Sequence, residues 1–122
     1  QQAEPIYEND KKQFLGLSFT DNDLTVKVLD TVQDFLHEGD TLHHCVFTNE
    51  YYKKKDSLIL SAQIENRPVE TIEISLSRME IIQCRGHRNK ATKYHSRILR
   101  IINKNLPEIA RRLKKQKIQL KA

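Results

Sequence analysis

The sequence has no tryptophan and one methionine, with only three glycines, three prolines and two cysteines in 122 residues. So little glycine and proline excludes collagen-like and low-complexity architecture, and no internal repeat is present. The two cysteines, Cys45 and Cys84, lie far apart and do not make a disulfide framework, so reduced thiols are expected. No apolar run approaches the eighteen or so residues that a membrane span needs, and no signal-peptide pattern opens the chain. A cytoplasmic protein without a membrane partner is therefore expected. The chain opens on Gln1 rather than Met, which predicts a piece of a longer polypeptide. Acid is scarce in the tail: from Arg85 onward thirteen Lys or Arg face one carboxylate, Glu108, whereas residues 1–84 carry eight bases and fifteen acids. Such a charge dipole favours a polyanionic partner, or internal attraction between an acidic body and a basic tail.

Apolar residues make up 38% and charged residues 30%, the balance of a globular chain of one domain. Residues 1–12 are polar, without periodicity, and read as a flexible lead before a single domain at 13–122. FLGLSFT and DLTVKVLD, separated by an Asp-Asn step, predict a hairpin. DTVQDFLHEGD predicts a short helix capped at Asp30 or Thr31 and stopped at Gly39, and TLHHCVFTNEYYKKK a second one. SLILSAQI, VETIEISL and MEIIQCR follow as three strands of an antiparallel meander. In the middle strand Ile72, Ile74 and Leu76 share an apolar face, while Glu73, like the pairings Glu70 with Glu73 and Glu65 with Glu80, reads as the wet side of the sheet. From Thr92 to about Lys117 a 3.6-residue period gathers Tyr94, Ile98, Ile101, Ile102, Leu106, Ile109 and Leu113 on one arc. Pro107 then implies a kink or a division into two helices. The expected fold is α+β, an antiparallel sheet of about five strands packed on one face by helices, the last of them long and basic.

Four arrangements of residues carry chemistry. The basic side of the last helix aligns Lys93, Arg97, Arg100 and Lys104 about a turn apart, with Arg111, Lys114 and Lys115 beyond, a track suited to phosphates. Just before it, RGHRNK combines Gly86 with Arg85, Arg88 and Lys90 at the start of a helix, where unpaired N–H groups attract anions. Arg85, Gly86, Arg88, Lys90, Lys93, Arg97, Arg100 and Lys104 are accordingly the candidate anion and nucleic-acid contacts. HHC at 43–45 and CRGH at 84–87 hold the residue types of a zinc site, but not its paired spacing, and buried free cysteines are the commoner outcome. No metal and no cofactor is expected. The same segments supply Cys45, His44, His87 and Asn89, the set a cysteine-based enzyme would use, though nothing in their spacing fixes them in space.

LHHCVFTNEYYKKKDSLILSAQI, VETIEISL and QCRGHRNKATKYHSRILRIINKN together resemble the PcfJ-like family over roughly residues 13–115. The pattern is carried by His44, Cys45 and Val46, by Thr71, Ile72 and Glu73, and by Gln83, Arg85, Gly86 and Asn89. The resemblance implies a setting among conjugative plasmids and related mobile elements, in longer proteins of which this chain would be the C-terminal part, and assigns no activity to a residue. The expectation that follows is a non-enzymatic nucleic-acid-binding or DNA-processing accessory module. The alternatives are a protein-interaction module of the transfer apparatus, or a Cys/His-based enzyme.

Overall fold

The computed structural model describes residues 2–121, and the side chains of residues 2–115. Helix α1 spans Ala3–Lys11 and precedes strands β1 (Ser18–Asp21) and β2 (Leu24–Val28). Helix α2 (Val32–Leu42) leads through a looped segment and a 3-10 turn at Tyr51–Lys53 into β3 (Ser57–Ile64), β4 (Arg67–Ser75) and β5 (Glu80–Gly86). A second 3-10 turn, His87–Asn89, joins β5 to helix α3 (His95–Lys121). The strands form one antiparallel sheet in the order β1-β2-β3-β4-β5, the expected α+β meander.

Strand alternation sorts the side chains into two layers. Leu24, Val26, Leu58, Leu60, Ile72 and Ile74 lie on one face and bury Ile98, Ile101, Ile102 and Ile109 of α3. Helical cover is not confined to that face. On the other, Ile59 packs with Tyr7 of α1, with Val32 and Phe35 of α2, and with Leu29 and Val46. The turn between β3 and β4 places Glu65 and Asn66 at φ 51° and 64°; two left-handed residues match the twist of the flanking strands.

Three expectations change. Residues 3–11 are a helix rather than a flexible lead, and α1 is pinned at both ends. Glu4 accepts the N–H groups of Val32 (2.8 Å) and Gln33 (3.0 Å), capping α2 beside the Thr31–Asp34 capping box. The Tyr7 hydroxyl donates to the Leu29 carbonyl, and the buried Lys11 ammonium binds Asp10 (2.7 Å) and the carbonyl of Lys54 (3.0 Å). Gly39 does not stop α2, which runs on to Leu42 and ends at His43 in the left-handed region, φ 53°. A Cβ on Gly39 would meet the His44 carbonyl oxygen at 3.1 Å, so this glycine lets the following loop fold back across the helix. That loop replaces the helix expected over 41–55: His43 and Glu50 both take positive φ, and Phe47 and Tyr52 turn inward to pack around Phe35. Helix α3 continues through Pro107 without dividing. Pro107 and Asn103, whose carbonyl loses its partner there, both lie on the exposed side.

Candidate functional site

Alternation along β4 and β5 sets the floor of a cleft on the α2 side of the sheet. Thr71 pairs across the strands with Arg85, and Glu73 with Gln83, so all four project from one face. The loop after α2 folds over them with His44, Cys45, Val46 and Asn49, Tyr51 and Ile59 complete one wall, and Asn89 closes the end. The cleft encloses about 410 Å³, within the range of small-ligand sites. All three sequence segments that carried the family pattern converge here.

A buried chain of hydrogen bonds runs behind the cleft. The Thr71 hydroxyl donates to Glu38 Oε2 (2.5 Å) and meets His44 Nε2 at 2.8 Å. Since the single hydroxyl proton goes to Glu38, Thr71 accepts from His44 Nε2–H, and the proton of the neutral ring resides on Nε2. Burial lowers the His44 pKa below its ordinary value and keeps the ring neutral, a backbone hydrogen bond offsetting only part of the effect. Burial also raises Glu38 to about 7, against the hydrogen bonds from Thr71 and Ser61 that favour its charge. Glu38 is the residue sequence reading missed. It lies three positions after Phe35 on the inward face of α2, and a carboxylate at an apolar helical position was the available sign.

Glu73, read as wet, is buried at 3% exposure. Its carboxylate accepts from Ser57 (2.6 Å), Gln83 (2.8 Å) and Lys54 (3.2 Å). Burial pushes its pKa upward, but these donors outweigh that and hold it below the ordinary value. Gln83 also donates to the Tyr51 hydroxyl, fixing the wall of the cleft.

On the opposite face of the sheet Glu70, likewise read as wet, is fully buried. One of its oxygens meets the Cys84 thiol (3.0 Å) and His95 Nδ1 (2.7 Å), and the other accepts from the amide (2.8 Å) and hydroxyl (2.6 Å) of Thr92. Burial favours protonation of Glu70, yet these donors win and lower its pKa, while burial and the neighbouring carboxylate push the Cys84 thiol upward. Among the described residues Glu70, Cys84 and His95 form the one group with metal-ligand atoms mutually within 4.8 Å. Its contacts are those of a closed hydrogen-bonded hub tying the entry of α3 to the sheet. The anion expected near the start of that helix is thus supplied by the protein itself. Gly86 serves the same joint: a Cβ there would lie 2.5 Å from the Val69 carbonyl oxygen and 2.9 Å from Thr92 Cγ2.

The expected cations divide into two groups. Arg85, Arg88, Lys90 and Lys93 are exposed at the end of β5 and along the segment entering α3, and none forms an ion pair among the described residues. Arg88 and Asn89 at φ 53° and 65° shape that segment into a tight bend. Arg97 is instead bound to Asp23 (2.9 Å) and to the Asp21 carbonyl (3.3 Å), and Arg100 and Lys104 border a shallow groove with Phe19 and Thr20 at the hairpin of the opposite sheet edge. Farther along, Glu108 pairs with Arg111 and Arg112. Of the cysteine-enzyme set, His44, Cys45 and Asn89 line one cleft, whereas exposed His87 packs edge-on against His43 with centroids 4.9 Å apart. Of the two cysteines expected to be free and buried, Cys84 is buried, whereas Cys45 is exposed and lies across the sheet from it.

These features define a small α+β module whose polar cleft opens beside an unpaired cluster of cations. The PcfJ-like protein family matches residues 1–99, and the chain belongs to that family. The match takes in α1 and ends inside α3, ahead of Arg100 and Lys104. No curated protein matches the chain. No solved structure matches it either. No helix among the described residues is long and apolar enough to cross a membrane.

Proposed function

We propose that this chain is a nucleic-acid-binding accessory module of a conjugation or mobile-element system, gripping phosphates through Arg85, Arg88, Lys90 and Lys93. The mobile-element setting follows from the family resemblance. The observation that carries the binding reading is the exposure of these four cations on one short stretch, none ion-paired among the described residues, beside a polar cleft. Cations held this way are free to exchange counterions for phosphates, whereas Arg97, Arg111 and Arg112 are engaged with the protein's own carboxylates.

The test is fluorescence-anisotropy titration with short single- and double-stranded DNA and RNA at about 50 and 200 mM salt. Four phosphate contacts predict a loss of roughly 50-fold in single-strand affinity and roughly 150-fold in duplex affinity between those salts. The combined change Arg88→Glu, Lys90→Glu, Lys93→Glu should abolish binding, and Arg97→Glu with Arg100→Glu should weaken it far less. Absence of binding at low salt refutes the reading and leaves these cations to an acidic protein partner.

A further inference from the structure

We infer that Glu70, Cys84 and His95 form a binding site for one zinc(II) ion, with Glu70 Oε1, Cys84 Sγ and His95 Nδ1 as its protein ligands. The inference stands apart from the nucleic-acid reading and concerns the face of the sheet opposite the cleft.

Three elements deliver the ligands: β4 carries Glu70, β5 carries Cys84, and His95 opens α3. Glu70 Oε1 lies 3.0 Å from the thiol and 2.7 Å from Nδ1, and the three atoms are mutually within 4.8 Å. A tetrahedral zinc ion at ordinary bond lengths sets its ligand atoms about 3.3–3.6 Å apart. Each short contact then opens by roughly 0.6 Å as the ion takes the place of the hydrogen-bonding protons. His95 gives that room, since its side chain is 31% exposed and it is the first residue of its helix.

The donor set selects the ion. Sulfur, nitrogen and oxygen together suit zinc, whereas calcium and magnesium take oxygen alone. The charges balance as well: the Glu70 carboxylate and a Cys84 thiolate neutralise a divalent ion in a buried place. In the metal-free chain burial and the Glu70 charge keep the thiol proton in place. Bound zinc reverses that balance, because a coordinating thiol is deprotonated outright and its proton passes to solvent.

The surroundings prepare the ligands and give access to them. The other Glu70 oxygen accepts the amide and hydroxyl of Thr92, which aims the carboxylate before any ion arrives. Cys84 and His95 border a surface groove of about 340 Å³ with Ile81, Arg85, Asn89 and Leu99. That groove offers the ion a way in and leaves its fourth position to water. The zinc arrangement suggested by HHC and CRGH does not form, since Cys45 lies across the sheet. Cys84 finds its partners instead in Glu70 and His95, which no metal-binding spacing joins to it.

The experiment is a titration of the reduced, metal-free chain with cobalt(II), an optical stand-in for zinc, followed by displacement with zinc. Expected are one equivalent bound, a near-ultraviolet thiolate-to-cobalt charge-transfer band, the intense visible bands of a four-coordinate ion, and loss of all of these on adding zinc. Zinc at about a hundredfold excess over its dissociation constant should also raise the thermal unfolding midpoint by roughly 8 °C or more. Cys84→Ser should abolish the charge-transfer band and weaken zinc binding by about tenfold or more. His95→Gln should weaken it to a similar degree, and as a partly exposed position it provides the test if Cys84→Ser fails to fold. Cys45→Ser should bind as wild type does. The inference is overturned if one equivalent of cobalt gives no charge-transfer band, if the band survives in Cys84→Ser, or if it depends on Cys45. It also falls if His95→Gln binds zinc as wild type does. None of these results bears on DNA binding, so failure here leaves the proposed function standing.

Discussion

Replacing Glu38 by glutamine should stabilise the protein at pH 8.5 and leave it nearly unchanged at pH 5. The carboxyl is buried at 1% exposure, hydrogen-bonded to Thr71, with Asp34 opposing its charge and Lys27 favouring it. Its pKa rises from 4.5 in the unfolded chain to about 7 in the fold. Below 4.5 both states hold the proton and the group costs nothing. Between 4.5 and about 7 the folded state retains a proton that the unfolded state has released, so stability falls as pH rises through that window. Above it both states are ionised and the whole penalty, roughly 3 kcal/mol, is present. The substituted glutamine carries no charge at any pH, its oxygen can still accept the Thr71 hydroxyl, and its volume matches. Burial of His44 acts in the opposite sense, lowering stability as pH falls below 6.5, but it is common to both proteins and cancels in their difference. Urea unfolding of both proteins at pH 5 and 8.5 measures the effect. With a slope of about 1–3 kcal/mol per molar, the midpoint of Glu38→Gln should rise by about 1–3 M at the higher pH. An equal shift at both pH values would show that Glu38 ionises normally and that the burial argument is wrong.

Gly86→Ala should cost about 2 kcal/mol or more in thermal or urea unfolding, because the new methyl meets the Val69 carbonyl at 2.5 Å and must push β4 or the 87–92 segment aside. A change within about 0.5 kcal/mol would mean that this joint is loose. Glu4→Ala should cost about 1–2 kcal/mol by uncapping α2, read by the same unfolding measurement. Glu8→Ala, at an exposed position of the same helix, should fall within about 0.5 kcal/mol of wild type.

Strand periodicity and the apolar arc of α3 were legible because each buries a full stripe against its neighbour. Helix α1 was not, since Tyr7 and Lys11 are its only fully buried residues and one of the two is a lysine. Lysine enters a core only where acceptors wait for it, and here they are Asp10 and the carbonyls of Lys54 and Lys55, the last two more than forty positions away. The loop after α2 misleads for a related reason: its aromatic and apolar residues imitate a helical face but serve to wedge a non-helical segment against Phe35. The cleft was half visible. The segments carrying His44, Thr71 and Arg85 stand out by their family pattern, whereas Glu38 looks like an ordinary helical polar residue. Alternation shows correctly that Glu70 and Glu73 occupy opposite faces. Whether a face is wet depends on which distant elements cover it, and nothing local announces that α1, α2 and the loop cover the second face.

The cations show the same limit in electrostatic form, and it bears on where a phosphate can bind. A helical wheel gives the phase of Arg97, Arg100 and Lys104 on α3 but not the acids of other elements that meet them, and Asp23 takes Arg97. A helix N-terminus attracts an anion whatever its source. Near the start of α3 the source is internal: the Glu70 carboxylate already holds the amide and hydroxyl of Thr92, with His95 and Cys84 on its other oxygen. A phosphate brought there would face a fixed negative charge and donors already engaged. The positive charge that remains uncommitted is that of side chains, and it is densest where Arg85, Arg88, Lys90 and Lys93 succeed one another without an intervening acid. The bend that presents them is held by Gly86, whose amide donates to the Lys90 carbonyl at 2.7 Å, and by the Glu70 hub beneath. The buried carboxylate thus excludes an external anion from the start of α3 while bracing the segment that displays the free cations. Glu70→Gln should therefore loosen that segment, seen as faster amide hydrogen exchange over residues 86–92, without creating a new site for inorganic phosphate; unchanged exchange would mean that the hub does not brace the bend.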